Sequence, residues 1–213
     1  MAEVNTTSVA KRRYRSPLRE AQAAATRSRI LEASLVELGA RGYAATSVAA
    51  IAKAAGVSPE TVYATFGSKR GIVDGLLAQV DAEGRPQAAA TLSQARGGGP
   101  RVDLEVLAEV ATGFWAAHGD LVRLLRQGIG DPEIGQEWMR RQGWRRELVH
   151  GLVARWPAGT LRAGLDTDSA SDIAWSLTSH ELYELMVGVR GWATEPFVEW
   201  LRRALRRELL ARG

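Results

Sequence analysis

Residues 47–66, SVAAIAKAAGVSPETVYATF, limit what this 213-residue chain can fold into more than any other stretch. Val48, Ile51, Ala52 and Ala55 recur at i, i+3, i+4 and i+7, so a first short helix has one apolar face. Gly56 follows with a backbone free to take positive φ, which ends that helix. Ser58 is a natural N-cap for a second helix. Pro59 suits its first position, where the missing N–H would be unpaired anyway. Two short helices joined by a tight turn are the geometry that presents a helix to the major groove of DNA.

At 100° per residue, Val62 and Phe66 share one face of the second helix. Glu60 and Ala64 lie opposite, with Thr61 and Tyr63 on the flanks. The apolar pair holds the helix to its neighbours and leaves the other face free for base edges. Tyr63 joins a packing ring to a hydroxyl that can reach a phosphate. Ser68 can cap a further helix, and Lys69 lies in that helix's first turn, where exposed N–H groups also favour an anion. A small helical core with a solvated turn would account for the periodicity alone. The ordered run of cap, glycine, cap, proline and lysine favours DNA.

The text from 30 to 77 resembles the DNA-binding domain of the tetracycline-repressor (TetR) family of transcription regulators. The resemblance rests on Ile30-Leu31-Glu32-Ala33, Gly39-Ala40-Arg41-Gly42-Tyr43, Ser47, Ile51-Ala52, Ala55-Gly56-Val57-Ser58, Thr61-Val62-Tyr63, Phe66 and Ser68-Lys69. It implies that Ser47 caps the first motif helix and touches phosphate, and that Tyr63 and Lys69 are phosphate contacts. It places Pro59, Glu60, Thr61 and Ala64 where side chains reach bases. Glu60 departs from a commonly small residue and would repel phosphate unless it accepts from cytosine N4. Ala64 is short where larger readers are frequent, and offers only a methyl contact.

Charge follows the same division. Residues 1–75 hold eleven Lys and Arg against six acids, leaving +5, while the rest holds 17 against 18, leaving −1. The excess positive charge lies with the DNA-binding end, so binding should depend strongly on salt. Within residues 1–16, Arg12, Arg13 and Arg15 read as a flexible arm reaching along DNA or into a minor groove, or as a solvated tail. There is no cysteine, no apolar signal core and no run of membrane-spanning length, which points to a cytoplasmic protein.

The fold class expected is all-α: an N-terminal three-helix helix-turn-helix DNA-binding domain and a C-terminal helical ligand-binding and dimerisation domain. The expected boundaries are a basic arm over 1–19, the DNA-binding domain over 20–83 and the second domain over 84–213. A first helix runs from about 18 to 38, and a fourth from 69 to about 83, where Gly84-Arg85-Pro86 breaks the pattern. Further helices are expected near 103–117, 120–128, 132–156, 168–190 and 195–211, the last capped by Thr194.

All seven tryptophans lie beyond residue 100. Phe114, Trp115, His118, Trp138, Trp144 and Trp175 are candidates to line an effector cavity, although each ring serves equally as core. Arg140, Arg141, Arg145 and Arg146 read as a solvated face, with an acidic effector as the other reading. His118, His150 and His180 fall on separate helices without ligand spacing, so neither a metal site nor a cofactor is expected. The text Leu177-Thr178-Ser179-His180-Glu181-Leu182-Tyr183, followed by Arg190-Gly191-Trp192, is similar to a C-terminal pattern in one branch of the same family, with His180 standing where proline is frequent. There the last two helices pair with a second copy. This makes Leu182, Leu185, Met186, Val189, Leu201 and Leu205 candidates for a homodimer face, although such stripes also pack within one subunit. The partners expected are a double-stranded DNA operator, a small-molecule effector and a second copy. A constitutive or activating regulator without a ligand is the alternative. A helical-bundle enzyme is disfavoured because no nucleophile–base pair, phosphate loop or metal signature is present.

Overall fold

The computed structural model describes residues 17–94 and 97–211, without the side chains of 83, 85 and 94. Arg12, Arg13 and Arg15 lie outside the described residues. The helices are α1 (Pro17–Ala45), α2 (Val48–Ala55), α3 (Pro59–Phe66), α4 (Lys69–Gln94), α5 (Gly99–Gln127), α6 (Pro132–Val153), α7 (Thr167–Leu177), α8 (His180–Tyr183) and α9 (Thr194–Leu209). Extended pairing among the described residues is confined to one isolated antiparallel bridge, Leu161 with Leu210.

Local chemistry sets the N-terminal elements. In α1, Gly42 leaves the helical region at φ 79° and turns the chain. Thr46 Oγ1 donates to the Gly42 carbonyl at 2.8 Å and steadies that turn. The Ser47 hydroxyl accepts from Ala50 N at 3.1 Å, capping α2. At its other end Gly56 is left-handed (φ 65°), and Val57 N reaches the Ala52 carbonyl while Gly56 N reaches that of Lys53. This reciprocal pair is how a glycine closes a helix. Ser58 caps α3 and Ser68 caps α4 in the same way.

Two apolar cores form. The first joins Ile30, Leu31, Leu38, Ile51, Val62, Ile72 and Leu76 to Leu121, Leu124 and Leu125 of α5 and Ile134 of α6. The second gathers Leu92, Leu104, Leu107, Val149, Leu152, Phe197, Leu201, Leu205 and Leu209. The helices α4, α5 and α6 contribute to both. Each is buried near its two ends, in different cores, and the stretch between carries the bulky aromatic and cationic side chains. A gap in packing is left there.

Several expectations about element ends are corrected. The fourth helix does not stop at 83: it runs through Gly84 and Pro86 to Gln94. Pro86 removes one backbone bond and Gly84 lowers propensity, but burial of Leu92 in the second core outweighs both. α5 is one helix where two were expected. The helix expected over 168–190 is divided at Thr178-Ser179. The Thr178 carbonyl accepts from Trp115 Nε1 at 2.9 Å and its hydroxyl donates to Ala174 O at 2.7 Å, so the backbone turns away. Ser179 caps α8, which passes into a π-helical turn over Glu184–Val189. Thr194 is the first residue of α9 and makes no cap; Ala193 holds the cap position.

Candidate functional site

The second motif helix, α3, rests on the first core through buried Val62 and half-buried Phe66. Arg27 of α1 stacks on the Phe66 ring at 4.5 Å. The opposite face is open: Glu60 and Ala64 are exposed, Tyr63 is 52% exposed, and Pro59 and Thr61 are partly so. Thr61 and Ala64 border a groove with Gln22, Thr26 and Arg27 of α1. The Glu60 carboxyl lies below its usual range because it accepts from its own backbone N–H and the Ser58 hydroxyl. A fixed negative charge on this face disfavours close phosphate approach at that point and suits a donor such as cytosine N4.

Lys69 has a role the sequence did not reveal. Its ammonium donates to the carbonyls of Tyr43 at 2.7 Å and Thr46 at 3.1 Å, and lies over the Tyr43 ring at 4.3 Å. It ties the start of α4 to the end of α1. An ammonium has three donors, so one remains for an anion at the same helix end.

Midway along α4, α5 and α6 lie two small cavities of about 70 Å³ each. Phe114, Trp115, Trp144 and Arg145 line both, and His118 and Trp138 line the second. Trp175 is not at either wall. The Arg145 guanidinium lies over its ring at 4.9 Å. The arginine row of α6 is not a uniform solvated face. Arg141 forms two 2.8 Å bonds to Asp81 of α4 and one of 2.6 Å to Glu137. Arg145 is half-buried, with its pKa pushed down to about 10 by desolvation, which the field of Glu181 opposes. A signal for this existed: positions 134, 138, 141, 145, 149 and 152 follow one 3–4 spacing. The inward stripe of α6 therefore passes through both arginines.

His180 sits buried at the start of α8 with its ring edge-on to Trp115. Neither ring nitrogen has a partner among the described residues. Desolvation pulls its pKa below the ordinary 6.5, against the fields of Glu184 and Glu181. The unfolded chain therefore binds a proton that the folded chain resists. The neutral ring's contribution is whole above about pH 6.5 and is lost as the pH falls below it. Thermal midpoints should decline from pH 7.5 to 5, and His180→Phe should flatten that decline. Equal slopes for the two proteins would contradict this reading. Among the described residues, no group of three or more His, Asp or Glu could hold a metal ion, and no helix is long and apolar enough to cross a membrane.

Residues 30–76 match the family model described as bacterial regulatory proteins, tetR family. This stretch is of the TetR-family type. TetR-family regulators are DNA-binding transcription factors, and the stretch shared with the family model runs from within α1 through α2 and α3 into the first turns of α4. Most of the chain also superposes on solved structures. NalD of Pseudomonas aeruginosa, the secondary repressor of the MexAB-OprM multidrug efflux pump, is 25% identical with TM-score 0.70, over 89% of this chain and 98% of that one. The ketosteroid regulator KstR2 of Mycobacterium tuberculosis shares the fold at 20% identity and TM-score 0.63, over 86% and 94%. FadR of Bacillus subtilis, in complex with stearoyl-CoA, shares it at 16% and 0.66, over 84% and 96%. No curated protein sequence matches the chain.

Proposed function

We propose that this protein is a cytoplasmic, ligand-responsive TetR-family repressor that binds a palindromic operator as a homodimer and is released by a small-molecule effector. The observation that carries the reading is the coexistence, on one continuous α4, of the helix-turn-helix end and the wall of an internal cavity. The functional division then falls inside α4 near residues 83–84 rather than in a loop. Effector binding releases DNA only if it favours a conformation with the wrong helix spacing over the DNA-bound one. NalD is a repressor and FadR was solved with an acyl-CoA; both fit this class of control.

The dimer face is narrower than the leucine stripes imply. Leu201 and Leu205 are 1% and 0% exposed, packed in the second core. We read them as core rather than dimer contacts, because α9 packs against α5 and α7. Leu182 and Met186 are half-buried against the same core. Leu185 and Val189 on the π-helical turn are 57% and 68% exposed, with Trp192 beyond them. These three side chains are the surface we assign to the second copy. Leu205→Ala should cost about 2–5 kcal/mol of stability through the cavity it leaves. The double change Leu185→Asp, Val189→Asp should leave the fold intact and shift sedimentation from dimer to monomer. A dimer that survives this double change would contradict the assignment.

Titration of candidate metabolites against operator-bound protein tests effector control. Release by one of them is expected, and operator binding unaffected by any metabolite would support the constitutive reading.

A further inference from the structure

Arg145 is the anomaly of the C-terminal half. Arg123, Arg126, Arg141, Arg146, Arg202 and Arg206 each face a carboxylate. Among the described residues Arg145 hydrogen-bonds only to neutral groups: the Trp175 carbonyl at 2.8 Å, Thr178 Oγ1 at 3.3 Å and Gln142 Oε1 at 3.3 Å. Its Nε has none among the described residues. The acid whose field reaches it, Glu181, is paired with Arg126. Its guanidinium lies 4.9 Å from the Trp175 ring and 5.9 Å from that of Trp115. Burial lowers its pKa but leaves it cationic at neutral pH.

This cation lines both cavities. In the first it is the one charged group among the described lining residues, which are otherwise apolar but for Thr178. In the second, Asp81 and Arg141 neutralise each other, so Arg145 again sets the sign. A partly desolvated positive charge without a counter-ion is costly, and an anion arriving in the cavity offsets part of that cost. A guanidinium is a planar fork that matches a carboxylate. A phosphate dianion would bring a second charge with no second cation. The two cavities together approach the roughly 150 Å³ that holds a benzene ring in an apolar protein interior. An open groove between α4 and α5 shares Gly84, Ala88, Val110 and Phe114 with the first cavity and offers a way in. A Cβ at Gly84 would stand 3.0 Å from the Phe114 ring, so the passage there stays open because this residue has no side chain.

We propose that the effector is a compact organic carboxylate, its acid group paired with Arg145 and its apolar body held between the aromatic walls of α5 and α6. The proposal rests on the effector-cavity reading above. The test is calorimetric titration of the full chain with benzoate and 2-naphthoate, each against its own amide, with tryptophan fluorescence as a second readout. An acid should bind at least about tenfold more tightly than its amide, as a charge-assisted pair implies. Arg145→Met should abolish that preference and Arg145→Lys should keep part of it. Arg145→Met strands no carboxylate, so its thermal midpoint should stay near the parent's. Should it not fold, Arg145→Lys carries the comparison, and Gly84→Val should weaken acid binding by narrowing the entry. Equal binding of acid and amide, or a preference that survives Arg145→Met, would overturn the anion assignment and leave the cavity reading standing. No binding of any acid or amide would overturn both.

Discussion

Ala64→Asp should reduce affinity for operator DNA by about a hundredfold or more while barely changing stability. The residue is exposed on the outward face of α3, and no core contact depends on it. A carboxylate there meets phosphates and base acceptors on a surface already carrying Glu60, and a loss of about 2.7 kcal/mol is a factor of one hundred. On the protein alone, an exposed substitution of this kind costs within about 1 kcal/mol. Fluorescence anisotropy on labelled operator measures the first effect and thermal unfolding the second. Wild-type affinity in the variant would mean that α3 does not face DNA.

Gly71→Ala should be the most damaging single methyl in the DNA-binding end. Gly71 lies in the first turn of α4, and a Cβ there would stand 1.9 Å from the Phe66 carbonyl oxygen and 3.0 Å from its carbon. These are backbone atoms, so no rotamer change relieves the contact. The junction of α3 and α4 must open, which costs about 1–3 kcal/mol or more and re-aims the recognition surface. Gly143→Ala, at an exposed position of α6, is the control, with nothing within 4 Å of its Cβ. It should be neutral or stabilising by about 0.5–1 kcal/mol. Circular-dichroism melts and operator binding of the two variants decide this. A Gly71→Ala protein with parental stability and DNA affinity would refute it.

The helix-turn-helix end was legible because its determinants are local. Ser47, Gly56, Ser58, Pro59 and Ser68 act through backbone groups a few residues away, so their spacing carries their geometry. What the sequence concealed depends on distant contacts. Pro86 looks like a stop until Leu92 is seen to anchor the helix beyond it. Thr178 looks helical until Trp115, 63 residues earlier, draws off its carbonyl. The stripe of Leu201 and Leu205 has the same period whether it faces a core or a partner, and only packing decides. Lys69 reads as an anion site on its own helix, yet most of its donors go to the end of α1. Arg145 was hidden by composition: four arginines in seven residues resemble a solvated face, although the 3–4 spacing from Ile134 to Leu152 places two of them inward.

Selection of duplex sites from a randomised DNA pool by the purified full chain tests the central claim most directly. If α2 and α3 dock on DNA from both copies of a dimer, the enriched sites should be approximate palindromes. Their half-site centres should lie about one helical turn apart, roughly 34–36 Å. Recovery should fall steeply as salt rises, and the Ala64→Asp protein should enrich nothing. Failure of the parent chain to enrich any sequence, or enrichment of the same sites by Ala64→Asp, would contradict the account.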